Sequence, residues 1–138
     1  MTAQKVFVYF NLRRKLWSVK ALEGPDKGRV ILWAPTVLLA QVTPKVSQAG
    51  RQRVLRDKRK NVHAGLVGYL VNAGTERLEL PSQSTEITYN PYTFTTFVRT
   101  TDHKQFHSAG WALLQDKRVH VSGSRIWGTY DGLEALKP

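Results

Sequence analysis

The apolar residues of this chain arrive in short runs, β-branched or aromatic, and a turn signal ends most of them before a helix has room to form. That spacing favours many short strands over a few helices. Residues 6–10 (Val-Phe-Val-Tyr-Phe) and 16–22 (Leu-Trp-Ser-Val-Lys-Ala-Leu) flank the polar stretch 11–15, which predicts a hairpin with a basic tip. Gly24, Pro25 and Gly28 predict a tight turn, since Pro presets one dihedral and Gly permits a positive one. Residues 29–34, 37–42, 63–71, 87–89, 92–99, 111–114 and 119–122 read as further strands, and 72–86 reads as a polar loop. Gly65 and Gly68 interrupt the side-chain row of their strand. Trp17, Trp33 and Trp111 lie in apolar runs and are expected in the core.

One segment, 47–60, has helical character. Ser47 can cap its N-terminus, Arg and Lys at its end suit the helix dipole, and Gly50 weakens it. The expected class is therefore α+β: a small, mostly antiparallel twisted sheet or partly open barrel with one principal basic helix. A chain of 138 residues has room for one core. We expect a single basic domain over 1–122 and a tail, 123–138, that packs on this domain or on a partner. Trp127 and Tyr130 lie in that tail.

Much chemistry is excluded by composition. The absence of cysteine removes disulfides, a thiolate nucleophile, iron–sulfur clusters and thiolate zinc sites. No stretch approaches the roughly 18 apolar residues of a membrane helix, and the N-terminus lacks the pattern of a secretory signal. Neither standard Gly-rich nucleotide loop occurs, nor a serine elbow. His103 and His107 stand four apart, but Thr100, Thr101 and Asp102 argue for a hairpin loop there. On a strand that spacing is about 13 Å, too wide for one zinc ion. No metal site and no cofactor are expected, and a cytoplasmic location in the host cell is.

The charge balance points to a class of partner. Against 10 acidic residues stand 21 Lys and Arg, a formal charge of +11, and such an excess attracts polyanions. Arg51, Arg53, Arg56, Lys58, Arg59 and Lys60 crowd one stretch and would spread almost all round a helix, leaving a narrow apolar edge at Val54 and Leu55. A basic run of this kind also suits a solvated surface, but the excess over the whole chain favours phosphate contact. Residues 88–97 are rich in aromatic and hydroxyl side chains. On a strand beyond Pro91, Tyr92 and Phe94 would share one face. Phe94 and Phe97 are expected in the core. Tyr89 and Tyr92, beside the Asn90-Pro91 turn, are expected to be exposed as stacking surfaces for unpaired bases.

The stretch 51–64 (Arg-Gln-Arg-Val-Leu-Arg-Asp-Lys-Arg-Lys-Asn-Val-His-Ala), with Tyr89-Asn90-Pro91-Tyr92, resembles a family of small basic proteins encoded by bacteriophages and prophages. The resemblance covers about residues 5–121. It implies a phage or prophage setting and brings no activity with it. A looser likeness, in residue types and fold class, is to metal-independent ribonuclease toxins of the barnase and RelE type.

Three functions follow as expectations. The first is a nucleic-acid-binding protein, RNA favoured, using the six cations with Tyr89 and Tyr92. The second is a metal-independent endoribonuclease, with His63 as general base, His107 or Tyr92 as proton donor and Arg59 or Lys60 on the phosphoryl oxygens. The third is a non-catalytic inhibitor that covers an acidic surface of a host protein.

Overall fold

Every strand pairing in the structure is antiparallel, and all the strands belong to one sheet. The computed structural model describes residues 4–58 and 62–122 and the backbone of 127–128. The chain begins with β1 (Lys5–Asn11), β2 (Leu16–Ala21), β3 (Val30–Ala34) and β4 (Thr36–Val46), followed by the helix α1 (Gln48–Asp57). Then come β5 (Ala64–Gly74), β6 (Ser84–Thr88), β7 (Val98–Arg99) and β8 (Gln105–Phe106). β9 (Ala109–Gln115), β10 (Arg118–Ser122) and β11 (Trp127–Gly128) complete the sheet. Its order is β11-β8-β7-β6-β10-β9-β4-β5-β1-β2-β3, so among the described strands β3 and β11 are the edges.

The expectation of an α+β domain is corrected by this architecture. The described residues are largely β, with α1, ten residues long, as their one helix. Runs with the period of a strand dominate the chain, and a helix this short cannot form a layer of its own. It also stops before residue 60. Lys58 adopts φ 58° and its N–H bonds the Val54 carbonyl, closing the last turn. Arg59 and Lys60 lie outside the described residues. At the other end Ser47 caps as expected, its hydroxyl accepting from Gly50 N–H at 3.1 Å.

The hairpin of β1 and β2 forms as the sequence implies, with Phe10 opposite Trp17 and Asn11 opposite Leu16. The turn at 24–28 forms too, with positive φ at Gly24 and Gly28. β4 is the spine, pairing with β5 along one side and β9 along the other. Its register shifts between Ala40 and Thr43, around Gln41 at φ 52°. Such a bulge bends and twists a strand. One face of the sheet buries Val6, Val8, Val19, Leu39, Leu66 and Leu114.

Two further expectations change. Residues 92–99 do not form a strand, and only Val98–Arg99 join the ladder. Asn90 takes the backbone donors of the segment instead. Its side chain accepts from Tyr92 N–H at 2.9 Å and its carbonyl from Thr93 and Phe94. A local turn of this kind competes directly with sheet pairing. Trp33 is not core, either. It sits on edge strand β3, 41% exposed, with the Arg14 guanidinium 4.1 Å from its ring centroid.

Candidate functional site

A groove of about 820 Å³ lies between α1 and the curled sheet. Strands far apart in the sheet order line it together: Val8 and Phe10 of β1, Leu66 of β5, Ile87 of β6, Leu114 of β9 and Val119 of β10. Tyr89, Pro91, Tyr92 and Phe97 add a wall of rings, and Val54 contributes the apolar edge of α1. Among the described residues four exposed cations also line the groove: Arg13, Lys58, Lys117 and Arg118.

Each of these cations is held by local backbone chemistry. Arg13 occupies the tip of the first hairpin, where the Asn11 side chain accepts from the N–H groups of Arg13 and Arg14, both at 3.0 Å. Lys58 is the left-handed C-cap of α1. Lys117 belongs to the two-residue turn between β9 and β10, flanked by the pair Gln115–Arg118. Asp116 and Lys117 have φ of 56° and 62°, the mirror-image geometry that suits a right-twisted hairpin. The ammonium of Lys117 lies 5.7 Å from the Phe10 ring centroid, which brings this turn beside β1.

His63 lies where α1 meets the sheet. Ser47 N–H donates to the His63 carbonyl at 2.7 Å. A Cβ on Gly50 would stand 2.5 Å from the Cβ of His63, so the glycine lets helix and histidine approach. Nε2 of the imidazole lies 2.7 Å from the Tyr89 hydroxyl. The hydroxyl donates when the imidazole proton is on Nδ1 and accepts when it is on Nε2. The two rings meet edge to face at 5.5 Å, and Tyr89 also packs on Phe97 at 5.4 Å. Burial raises the Tyr89 pKa above its ordinary value, and the charge of Arg51 works against that rise.

The residues singled out in the sequence divide accordingly. His63, Tyr89, Tyr92 and Lys58 meet in the groove. Arg51 is half-buried and turned inward, its Nε donating to the carbonyls of Pro91 at 2.9 Å and Phe94 at 3.1 Å. Arg56 pairs with its neighbour Asp57 at 3.1 Å, and Arg53 is exposed on α1. His107 is exposed beyond β8 and does not line the groove. Sequence reasoning missed Arg13, Lys117 and Arg118. The basic hairpin tip was a signal for the first, and Asp-Lys-Arg between two strands was one for the others. Among the described residues no group of His, Asp and Glu could hold a metal ion, and no helix is long and apolar enough to cross a membrane.

Fold and groove together define a small antiparallel β protein with a cation-rimmed aromatic cleft under a short helix. The chain belongs to the family described as Mycobacterium phage L5 gene 82 protein, which it matches over residues 1–122. It is 43% identical to the Gene 82 protein of Mycobacterium phage L5 over 126 residues, which is 86% of this chain and 95% of that protein. No solved structure matches the chain. The bacteriophage setting implied by residues 51–64 and 89–92 is thus established.

Proposed function

We propose that this protein binds nucleic acid, RNA in preference to DNA, through the groove, in the cytoplasm of the bacterial host. The observation that carries the reading is the convergence of Arg13, Lys58, Lys117 and Arg118 on one aromatic cleft. Three separate segments supply them, so chance spacing along the sequence does not account for the cluster. Among the described residues Glu86 is the one acidic residue lining the groove. The volume falls in the range of small-ligand pockets, about 300–1,000 Å³. That suits a few unpaired bases and not a duplex. Tyr92, 58% exposed, offers a ring for stacking.

The test is fluorescence anisotropy with matched single-stranded RNA and DNA over a range of salt. Steeply salt-dependent binding, tighter for RNA, is expected. No binding to either polymer at low salt would overturn the reading and favour an acidic protein surface as the partner.

The contact between His63 and Tyr89 favours a second reading, metal-independent cleavage of bound RNA. The ribose 2′-oxygen would bond to phosphorus while the bond from phosphorus to the 5′-oxygen breaks. The 2′-hydroxyl proton would pass to His63, directly or through Tyr89, and Tyr92 would protonate the leaving oxygen. RNA shortened by the parent protein in EDTA, but not by His63→Ala, is the expected signature. Cleavage that survives His63→Ala would remove the role of His63.

A further inference from the structure

The sheet has a second surface, on the face turned away from its core. Side chains directly opposite one another on neighbouring strands share a face. Phe7 stands opposite Lys20 of β2 and Val67 of β5, and Val67 opposite Thr43 of β4. Two residues along, Lys5 stands opposite Tyr69, and Lys45 of β4 opposite Gly65. The alternate positions of the same strands, Val6, Val8, Val19 and Leu66, are buried in the core, and on the Phe7 side the small residues Ser18 and Gly65 are buried as well. Phe7 and Tyr69 are therefore diagonal neighbours on the outer face, and each is only half-buried.

The cations of this face stand beside its rings. Lys45 Nζ lies 5.9 Å from the Phe7 ring centroid. Lys5 and Lys45 are exposed, and Lys20 is partly so. No carboxylate occupies β1, β2, β4 or β5. Gly65 matters in a different way. A Cβ there would meet the Phe7 ring at 2.7 Å, so the glycine lets that ring lie against the sheet. Rings on a sheet beside cations, with one carboxylate at the margin where Glu23 accepts from the Lys5 backbone N–H at 3.0 Å, are complementary to unpaired bases on a phosphate chain.

We propose that this outer face is a second binding surface, on which single-stranded RNA stacks bases on Phe7 and Tyr69 while Lys5, Lys20 and Lys45 meet its phosphates. The surface uses neither the cations of the groove nor Tyr89 and Tyr92. It adjoins the groove at Gly65 and at Tyr9, whose ring lies 5.9 Å from that of Phe7, so it extends the nucleic-acid reading to a neighbouring face. Duplex RNA hides its bases and makes only the phosphate contacts.

The experiment compares an oligouridine of about twelve nucleotides, within the site sizes of sheet-based single-strand binders, with a duplex RNA of equal length. Phe7→Leu and Tyr69→Leu are each expected to weaken single-strand binding roughly five- to a hundredfold, the usual cost of a lost base stack, and to leave duplex binding nearly unchanged. Phe7→Tyr keeps a ring and is expected to bind as the parent does, which separates stacking from damage to the fold. Lys117→Ala with Arg118→Ala reports the groove. Parental affinity in both leucine variants, with loss only in the groove variant, would overturn the second surface and leave the groove reading intact. Loss only in the leucine variants would keep the surface and remove the groove. A parent protein that binds neither oligonucleotide would end both.

Discussion

Nε2 of His63 and the hydroxyl of Tyr89 stand 2.7 Å apart, although 26 residues separate them in the chain. One follows the helix and the other directly follows β6, so this bond ties the two walls of the groove together. Arg51 reinforces the tie from α1 by donating to the carbonyls of Pro91 and Phe94. The groove owes its shape to these side chains as much as to the sheet.

Tyr89→Phe keeps the ring and its packing on Phe97 and removes only the hydroxyl. A half-buried hydrogen bond contributes about 0.5–1.5 kcal/mol, and its loss leaves the imidazole nitrogen to find water. Denaturant unfolding is expected to show a loss of about that size. An unchanged midpoint would mean that the bond contributes nothing.

Gly50→Ala sets two effects against each other. Helix propensity alone favours alanine by about 1 kcal/mol. The new Cβ would stand 2.5 Å from the Cβ of His63, and neither atom is the end of a flexible chain. Overpacking of this kind costs about 1–3 kcal/mol, so a lower thermal midpoint is expected. A raised midpoint would show that helix and histidine can separate freely.

The cations of the chain are expected to fall into two experimental classes. Arg51→Gln loses donors to two backbone carbonyls and is expected to lower stability while leaving the salt slope of nucleic-acid binding nearly unaltered. Arg13→Ala and Lys117→Ala on exposed turns, and Arg118→Ala at the exposed start of β10, are expected to do the reverse. Each lost phosphate contact flattens the slope by about 0.7 on a single strand. A salt slope that falls for Arg51 and stays constant for the other three would reverse the assignment.

Acid is expected to weaken the hairpin of β7 and β8. Arg99 Nε donates to Asp102 at 2.9 Å, and this bond, with the backbone N–H of Lys104, holds the Asp102 carboxyl at about 2, below its ordinary 3.8. A depressed pKa in the folded state contributes stability above pH 3.8 that is lost as the pH falls through about 2. The pair is partly exposed, so the contribution stays under about 1 kcal/mol. Asp102→Asn is expected to be less stable than the parent at neutral pH and to converge with it near pH 2. Curves that run parallel down to that pH would show that the pair does not stabilise the hairpin.

Local features were legible in the sequence. The hairpin of β1 and β2, the turn at 24–28 and the Ser47 cap all depend on residues within a few positions of one another, and all three formed as read. Residues 92–99 misled because β-branched and aromatic composition reports strand propensity, while Asn90 offers the same backbone donors a nearer partner. Trp33 misled because an apolar run does not reveal whether its strand lies at an edge. Nothing in the neighbourhood of Arg51 shows that the carbonyls of Pro91 and Phe94 come within reach of its Nε, so the sequence offered only its charge.

The sequence by itself determined the period of the strands, the positions of the turns, the one helix start and the excess of positive charge. These follow from dihedral preferences and composition, which act over a few residues or over the chain as a whole. The tertiary structure alone decided which cations share a groove, that His63 meets Tyr89 rather than Tyr92 or His107, and which rings face outward. Those outcomes depend on the order of the strands, on the bulge at Gln41 and on the curl that brings the β9–β10 turn beside β1. Contacts between distant segments are selected by the packing of the whole sheet, and no local stretch of the chain encodes them.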